Sequence, residues 1–475
     1  MRLAAPLLIA SLGMHASLVH AEPEIDDFLI AAFQGGSEAD AALERIEAAG
    51  WQDGYAAIVV DLLDLLQRTS FAQPRGWLGL RGLVVFLEAQ TGQAFGGDIG
   101  RWRRWVWSLP YEPHSQYGEF KGALYAALDP RFADFFVPPV RSSIRLDEIQ
   151  WGGVAVNGIP PLDHPDNLNA ASAEYLDDDN IVFGLFVAGA ARAYPKRILA
   201  WHELARDELG GRELTIVYCT LCGTVIPYES NVGGKLRRFG TSGLLYQSNK
   251  LMFDDETKSL WSSLTGTPVV GPLVGSGLEL NWLPVVTTTW GEWRSRHPET
   301  TVLSLDTGFR RDYREGAAYR QYFATDELMF DVSLRDQRLA NKAEVFTLRS
   351  GGENGSGDAA DAADAGRPIA ISVERLAAQR VYQVETGEPA IVVITDSSGA
   401  SRAYASGEYR FAETLNDGAP RDEGVVRDSD GGIWEITEDA LVASRDSRLQ
   451  LPRVPAHRSF WFGWVAQHPD TILIR

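Results

Sequence analysis

The stretch WGEWRSRHPETTVL, Trp290 to Leu303, returns as WFGWVAQHPDTILI, Trp461 to Ile474, at a constant offset of 171 and with Trp, Trp, His, Pro and Thr identical. The match extends backward with small shifts. KSLW ending at Trp261 answers GGIW ending at Trp434, each with an aspartate six residues upstream, Asp255 and Asp428; Pro284 answers Pro455; and GGRELTIVYCTLCGTVIPY aligns with TGEPAIVVITDSSGASRAY. A period this long is far beyond that of solenoid repeats, so the chain holds two copies of one domain-sized unit, about 181–305 and 344–475, joined by a bridge, 306–343, with Tyr313, Tyr319 and Tyr322. Beyond residue 180 short β-branched runs alternate with Gly, Asp and Asn turns, which predicts strands. Inside copy two, GGENGSGDAADAADAG (351–366) is small, acidic and aperiodic and reads as a disordered surface loop.

The region 22–140 has another texture. IDDFLIAAFQ, ADAALERIEAAG, YAAIVVDLLDLLQR and RGLVVFLEAQTG space apolar residues at three and four, with Gly50 and Gly92 as stops. Trp102, Trp105 and Trp107 follow; aromatics at such density read as helix packing before they read as a ligand platform. The expected fold class is therefore α+β: a helical N-terminal domain, 22–140, then an internally duplicated, β-rich domain, 145–475. Residues 1–21 carry Arg2, an apolar run and Val19-His20-Ala21, the pattern of a secretory signal peptide, which implies a periplasmic or secreted protein.

A net charge of −20 disfavours nucleic acid and anionic membrane as partners, and no later run reaches the ~18 apolar residues of a membrane span. The expected partner is instead a small molecule or an envelope protein. With two cysteines in 475 residues the chain is no disulfide-stapled scaffold, and Cys219 and Cys222 need a local explanation.

The duplication supplies an internal control. Residues shared by both copies build the unit, whereas residues in one copy are free to serve function. His297 and His468 are shared and read as structural, at a helix-to-strand corner. Cys219 and Cys222 fall on Thr395 and Ser398, while the following glycine is kept as Gly223 and Gly399. His202 and Glu203 in AWHELA, and the segment GTSGLLYQSNKLMFD (Gly240 to Asp254), also lack counterparts. Strand, Cys-x-x-Cys-Gly, strand is the pattern of a metal knuckle; the following GTVIPY argues against a thioredoxin-like helix. Two thiolates are half a tetrahedral site, so His202 is expected beside them, with Glu203, Asp254, Met252 and His164 as weaker ligands and zinc or copper as the ion. A redox-active or labile disulfide, and an inert disulfide or simply buried thiols, remain open, and His202 also fits a buried, hydrogen-bonded histidine. Ser242 and Ser248 lack the glycines of a nucleophile elbow.

RAYPKRILAWHELARDELGG, TIVYCTLCGTVIPYE, FGTSGLLYQSNKLMFDDETKSLWSSLTGTPVVGP and TTTWGEWRSRHPETTVLSLDTG together resemble the domain-of-unknown-function 3179 family over about residues 145–475. The resemblance implies that His202, Glu203, Cys219, Cys222, Ser242, Tyr246, Ser248, Asp254 and Trp261 are motif positions, with Ser242, Tyr246 and Ser248 as contacts for a bound molecule. It implies no reaction. The departures are Thr220, where proline is usual, and Gln247, where asparagine is common. The leading expectation is an exported protein with a metal-binding or thiol-redox Cys-x-x-Cys/His site. The second is a non-catalytic envelope protein that binds a partner, its cysteines closed as a clip.

Overall fold

The computed structural model of the chain describes residues 22–34, 36–69, 74–349, 367–385, 390–411 and 424–475; the expected leader, 1–21, and acidic loop, 351–366, lie outside them. The chain divides into two compact units between Gln116 and Tyr117.

In the first unit the apolar periodicity becomes helices Ile25–Phe33, Gly36–Ala49, Ala56–Thr69, Pro74–Thr91 and Ile99–Ser108. Ala56–Thr69 buries Ile58, Val59, Leu62, Leu63 and Leu66, a stripe at spacings of three and four. Gly50 and Gly92 end two helices at φ of 98° and 69°, where a Cβ is disfavoured. Asp98 caps the last helix by accepting the Arg101 N–H. Trp102 and Trp107 are buried, and the Trp102 indole donates to the Gly96 carbonyl, so these rings pack the helices.

The second unit opens with helix Tyr117–Ala126 and a 3-10 segment, Pro130–Phe135. Both belong with the sheets that follow, because Lys121 and Tyr125 donate to the Ile149 carbonyl and Phe135 packs on Phe253.

The duplication is visible in strand order. In copy one Val286–Thr289 lies antiparallel to Ile181–Val187, which lies antiparallel to Ala190–Pro195, which lies parallel to Thr301–Leu303. In copy two Ala456–Phe460, Glu344–Leu348, Ile369–Ser372 and Ile472–Ile474 repeat that order and those directions. Each copy adds an antiparallel trio: Leu204–Leu209, Arg212–Cys219 and Thr224–Glu229 in the first, Val381–Val384, Ile391–Thr395 and Ser401–Ala405 in the second.

The shared residues hold the same corner twice. His297 lies 4.3 Å from the Trp293 ring and its carbonyl accepts the Thr300 N–H; His468 lies 4.2 Å from Trp464 and its carbonyl accepts the Thr471 N–H. The Trp261 and Trp434 indoles also match, but the register differs by one from the sequence alignment: Trp261 donates to Asp254, not Asp255, as Trp434 donates to Asp428. A left-handed Lys258 gives the first turn room for its extra residue.

The copies cover each other. Thr224–Glu229 of copy one packs on Ala456–Phe460 of copy two, and Ser401–Ala405 of copy two packs on Val286–Thr289 of copy one. Thr224 bonds Ser459 at 2.8 Å on one side, and Thr288 reaches Ser398 at 3.4 Å on the other.

Packing this close predicts sharp local sensitivity. A Cβ on Gly184 would stand 2.3 Å from the Trp293 ring, which its bond to Thr300 and its contact with His297 pin in place. Gly184→Ala should therefore destabilise the second unit by about 1–3 kcal/mol, read as a lower urea midpoint; an unchanged midpoint would show that the ring has room to retreat.

Candidate functional site

Strand Arg212–Cys219 delivers Cys219 to its end, and a tight turn with Gly223 at φ 60° returns the chain into Thr224–Glu229. Cys222 donates its N–H to the Cys219 carbonyl, so both side chains project from one turn. The thiols are free, not joined as a disulfide, and both are buried, Cys219 at 4% exposure and Cys222 at 0%. Copy two closes over them: Phe460 N–H donates to the Cys222 carbonyl at 2.7 Å, and Gly463 lies where a Cβ would stand 3.0 Å from the Cys222 sulfur.

Hairpin Phe239–Tyr246 and Asn249–Asp254 brings the next groups in. Its two-residue turn, Gln247 and Ser248, has both residues left-handed, as a type I′ turn requires but as neither residue type prefers. Gln247 is held by accepting the Ser333 N–H, and the Ser248 carbonyl accepts from the Cys222 thiol at 3.4 Å. Asn249 donates to the Cys222 sulfur.

Lys250 follows on the same strand. Its ammonium pairs with the Glu203 carboxylate at 2.6 Å and also donates to the Glu203 and Tyr218 carbonyls. Glu203 is itself left-handed at φ 57°, where helix Lys196–His202 ends, and it accepts a second bond from the Tyr319 hydroxyl at 2.9 Å. Cys219, Thr220, Glu203, Lys250 and Tyr319 line one cavity of about 60 Å³, whose other walls include Leu244, Leu245 and Phe330.

Electrostatics separate the thiols. Burial raises both. For Cys219 the hydrogen bond from Cys222, the Lys250 charge and the Lys250 backbone N–H outweigh burial and the nearby Glu203, so its pKa lies below the ordinary thiol value. For Cys222, burial combines with its bond to Cys219 and with the Cys219 charge, and its pKa is pushed well above. The two sulfurs are thus pushed in opposite directions.

The remaining predicted residues are distributed elsewhere. The His202 Nδ1 meets the Pro160 carbonyl at 2.8 Å, which can only accept, so Nδ1 carries the proton and Nε2 accepts from the Tyr313 hydroxyl. Burial lowers its pKa, consistent with a neutral ring stacked on Tyr313. Both nitrogens are thus engaged away from the sulfurs. The Asp254 carboxylate accepts from Trp261 and Thr257, the bond that copy two repeats with Asp428, and this makes Asp254 part of the scaffold. Ser242 clamps a β-bulge: its hydroxyl donates to the Leu251 carbonyl and accepts the Leu244 N–H. Tyr246 bonds Glu148, and burial raises its pKa. The Ser248 hydroxyl is buried without a partner. Met252 is a core residue and His164 faces Glu213 at the surface. Among the described residues no three His, Cys, Asp or Glu side chains are grouped to hold a metal ion. Of the seven expected ligands, only the two cysteines and Glu203 share the turn's surroundings.

Lys250, Asn249, Tyr319 and Thr220 are the functional candidates that ligand spacing missed. The available signal was a lysine inside NKLMFD, a strand otherwise reading as buried, with no counterpart in copy two.

Two substitutions separate scaffold from function. Cys219→Thr with Cys222→Ser installs what copy two uses at the same turn, where Gly399 keeps a φ of 88°; the variant should fold with a loss of no more than about 2 kcal/mol by chemical denaturation. A collapsed domain would make the sulfurs structural. Removing Lys250 alone would strand a buried carboxylate, at a cost of about 3–5 kcal/mol, so the informative variant is Lys250→Met with Glu203→Gln. There the Cys219 pKa should rise, since Lys250 lowers it by more than Glu203 raises it, and iodoacetamide labelling at neutral pH should slow several-fold. Unchanged labelling would remove Lys250 from the site.

No curated protein and no solved structure matches the chain. A family described as "Protein of unknown function (DUF3179)" matches residues 156–471, a span that runs through both copies and the bridge and contains all the residues around the cysteine turn. The duplicated unit with its single equipped copy is therefore what that family profile covers, and the chain belongs to the DUF3179 family.

Proposed function

We propose that the chain is an exported thiol oxidoreductase in which Cys219 and Cys222 cycle between dithiol and disulfide. The observation that supports this reading best is the pairing of a thiol that faces a cavity and is lowered by its Cys222 hydrogen bond and by Lys250 with a second thiol pushed up beside it. The nucleophile in thiol–disulfide exchange is the thiolate, so Cys219 attacks and Cys222 resolves. With a disulfide of class RS–SR, the Cys219 thiolate forms a mixed disulfide and releases RS⁻. The Cys222 sulfur then attacks Cys219, its proton passes to the second departing RS⁻, and the intramolecular disulfide closes. An export leader over residues 1–21 would place this pair where disulfides persist.

The metal reading draws on the same two soft donors, but His202 and Asp254 are committed to other bonds. A clip role would need no lowered thiol, cavity or buried lysine.

Protein purified from the periplasm and reduced should show two titratable thiols, and diamide should close them into one disulfide with the loss of two hydrogens by mass. In Cys222→Ser, Cys219 should still alkylate and trap a mixed disulfide. In Cys219→Ser, Cys222 should resist alkylation at neutral pH. Faster labelling of Cys222 than of Cys219 would reverse the roles. Copurifying zinc or copper near one equivalent, lost in the double cysteine variant, would replace the redox reading with a metal site.

A further inference from the structure

Resting on the redox reading, we infer that the oxidant accepted by Cys219 is a small hydroperoxide, hydrogen peroxide or a short alkyl hydroperoxide, bound by the Thr220 hydroxyl in the cavity beside the sulfur. The first argument is size. A water molecule needs roughly 10–15 Å³ of such space, so a cavity of about 60 Å³ takes a molecule of a few heavy atoms. Cys219 at 4% and Cys222 at 0% exposure lie beyond reach of a polypeptide disulfide. The opening to solvent is marked by Met329, which lines the cavity and is 53% exposed.

The second argument is an orphaned group. Thr220 is 1% exposed, lines the cavity next to Cys219, and its Oγ1 has no hydrogen-bond partner. A buried hydroxyl offers one donor and two acceptor sites, and leaving all of them unused is costly. A hydroperoxide would use both capacities, with its O–H donated to Oγ1 and its departing oxygen accepting the Thr220 proton donor.

The third argument is charge and electron balance. Closing the pair removes two electrons, and in so small a space the leaving group must be small. The Cys219 thiolate attacks the near oxygen of ROOH, the S–O bond forms as the O–O bond breaks, and RO⁻ departs toward the Lys250 ammonium and takes from solvent the proton that Cys219 released on ionising, leaving as ROH. Cys219 is then a sulfenic acid. The Cys222 sulfur attacks Cys219, its hydrogen joins the departing hydroxyl, and water leaves with the disulfide formed. In sum, two thiols and ROOH give one disulfide, ROH and water.

The test mixes reduced full-length protein with hydrogen peroxide, tert-butyl hydroperoxide or diamide, quenches with N-ethylmaleimide, and follows Cys219 by mass. Hydrogen peroxide should close the disulfide faster than it oxidises free cysteine at the same thiolate concentration. Thr220→Val and Thr220→Pro should lower the ratio of peroxide rate to diamide rate by roughly tenfold, the worth of one hydrogen bond to a developing charge, and Thr220→Ser should restore it. An unchanged ratio in Thr220→Val overturns the binding role and with it the proposal. A peroxide rate no faster than free cysteine, with diamide still closing the disulfide, overturns the hydroperoxide and leaves the redox pair standing. Failure of diamide to close any disulfide overturns the redox reading itself.

Discussion

Gly463 of copy two lies against Cys222 of copy one at a distance that leaves no room for a Cβ, and the rest of the site depends on that approach. It lets Phe460 bond the Cys222 carbonyl and brings Phe460 and Phe462 into the apolar cluster around both sulfurs. The cysteine turn is dried by a segment more than two hundred residues away, which is why the thiols are buried although their turn ends a hairpin. Drying alone would raise both thiols and leave them inert. The site is chemically interesting because one of them escapes that rule.

The escape runs through the Cys222 hydrogen bond and, next to it, through Lys250. A buried lysine–glutamate pair adds little stability over apolar residues of the same size, since desolvation consumes most of the Coulomb gain. Here the pair also orders what surrounds it. Lys250 gathers the carbonyls of Glu203 and Tyr218 and gives its own N–H and its field to Cys219, and Glu203 takes the Tyr319 hydroxyl from the bridge. Three non-glycine residues in left-handed conformation, Glu203, Gln247 and Ser248, stand around this arrangement. Each costs on the order of 1 kcal/mol or more, and such strain persists where surrounding contacts over-determine it, typically at sites of function. Both the ion pair and the strain favour a tuned site over a packing feature.

What the sequence made legible follows from what is local or repeated. The helices of the first unit, the strands beyond residue 180, the tryptophan–histidine corners and the glycine of the cysteine turn rest on periodicity, turn chemistry or the internal match, and each has its counterpart in the structure. The alignment slipped by one at Asp254 because a left-handed lysine lengthens that turn, and spacing carries no sign of it. His202 stands out by its absence from copy two and its place in the family motif, yet the partners that occupy its ring, Pro160 and Tyr313, are 42 and 111 residues away. Nothing local in NKLMFD marks a partner for Lys250, because its ammonium is held by Glu203, 47 residues earlier at the end of a helix. Tyr319 sits in the bridge, which has no second copy to serve as a control.

Copy two shows why the equipped copy is free to carry strain. At its equivalent turn Asp396 binds Ser398, Ala400 and Arg402, and the fully buried Arg402 binds Glu292 and Glu438 as well. Glu292 occupies the position, 171 residues earlier, that Gly463 fills in the other copy. A glycine there admits a cysteine turn with an open cavity beside it; a glutamate there closes the matching turn with charge. The charges in that cluster are mutually compensated, and Arg402 and its neighbours hold Glu438 well below the carboxylate range despite its burial. Copy two lies over the cysteine turn, so its charge-paired side packs against a side that holds a lowered thiol, an unpaired hydroxyl and three left-handed residues. The cover is one-sided: the cysteine turn is dry because copy two lies on it, whereas Ser397 and Ser398 of the matching turn remain exposed.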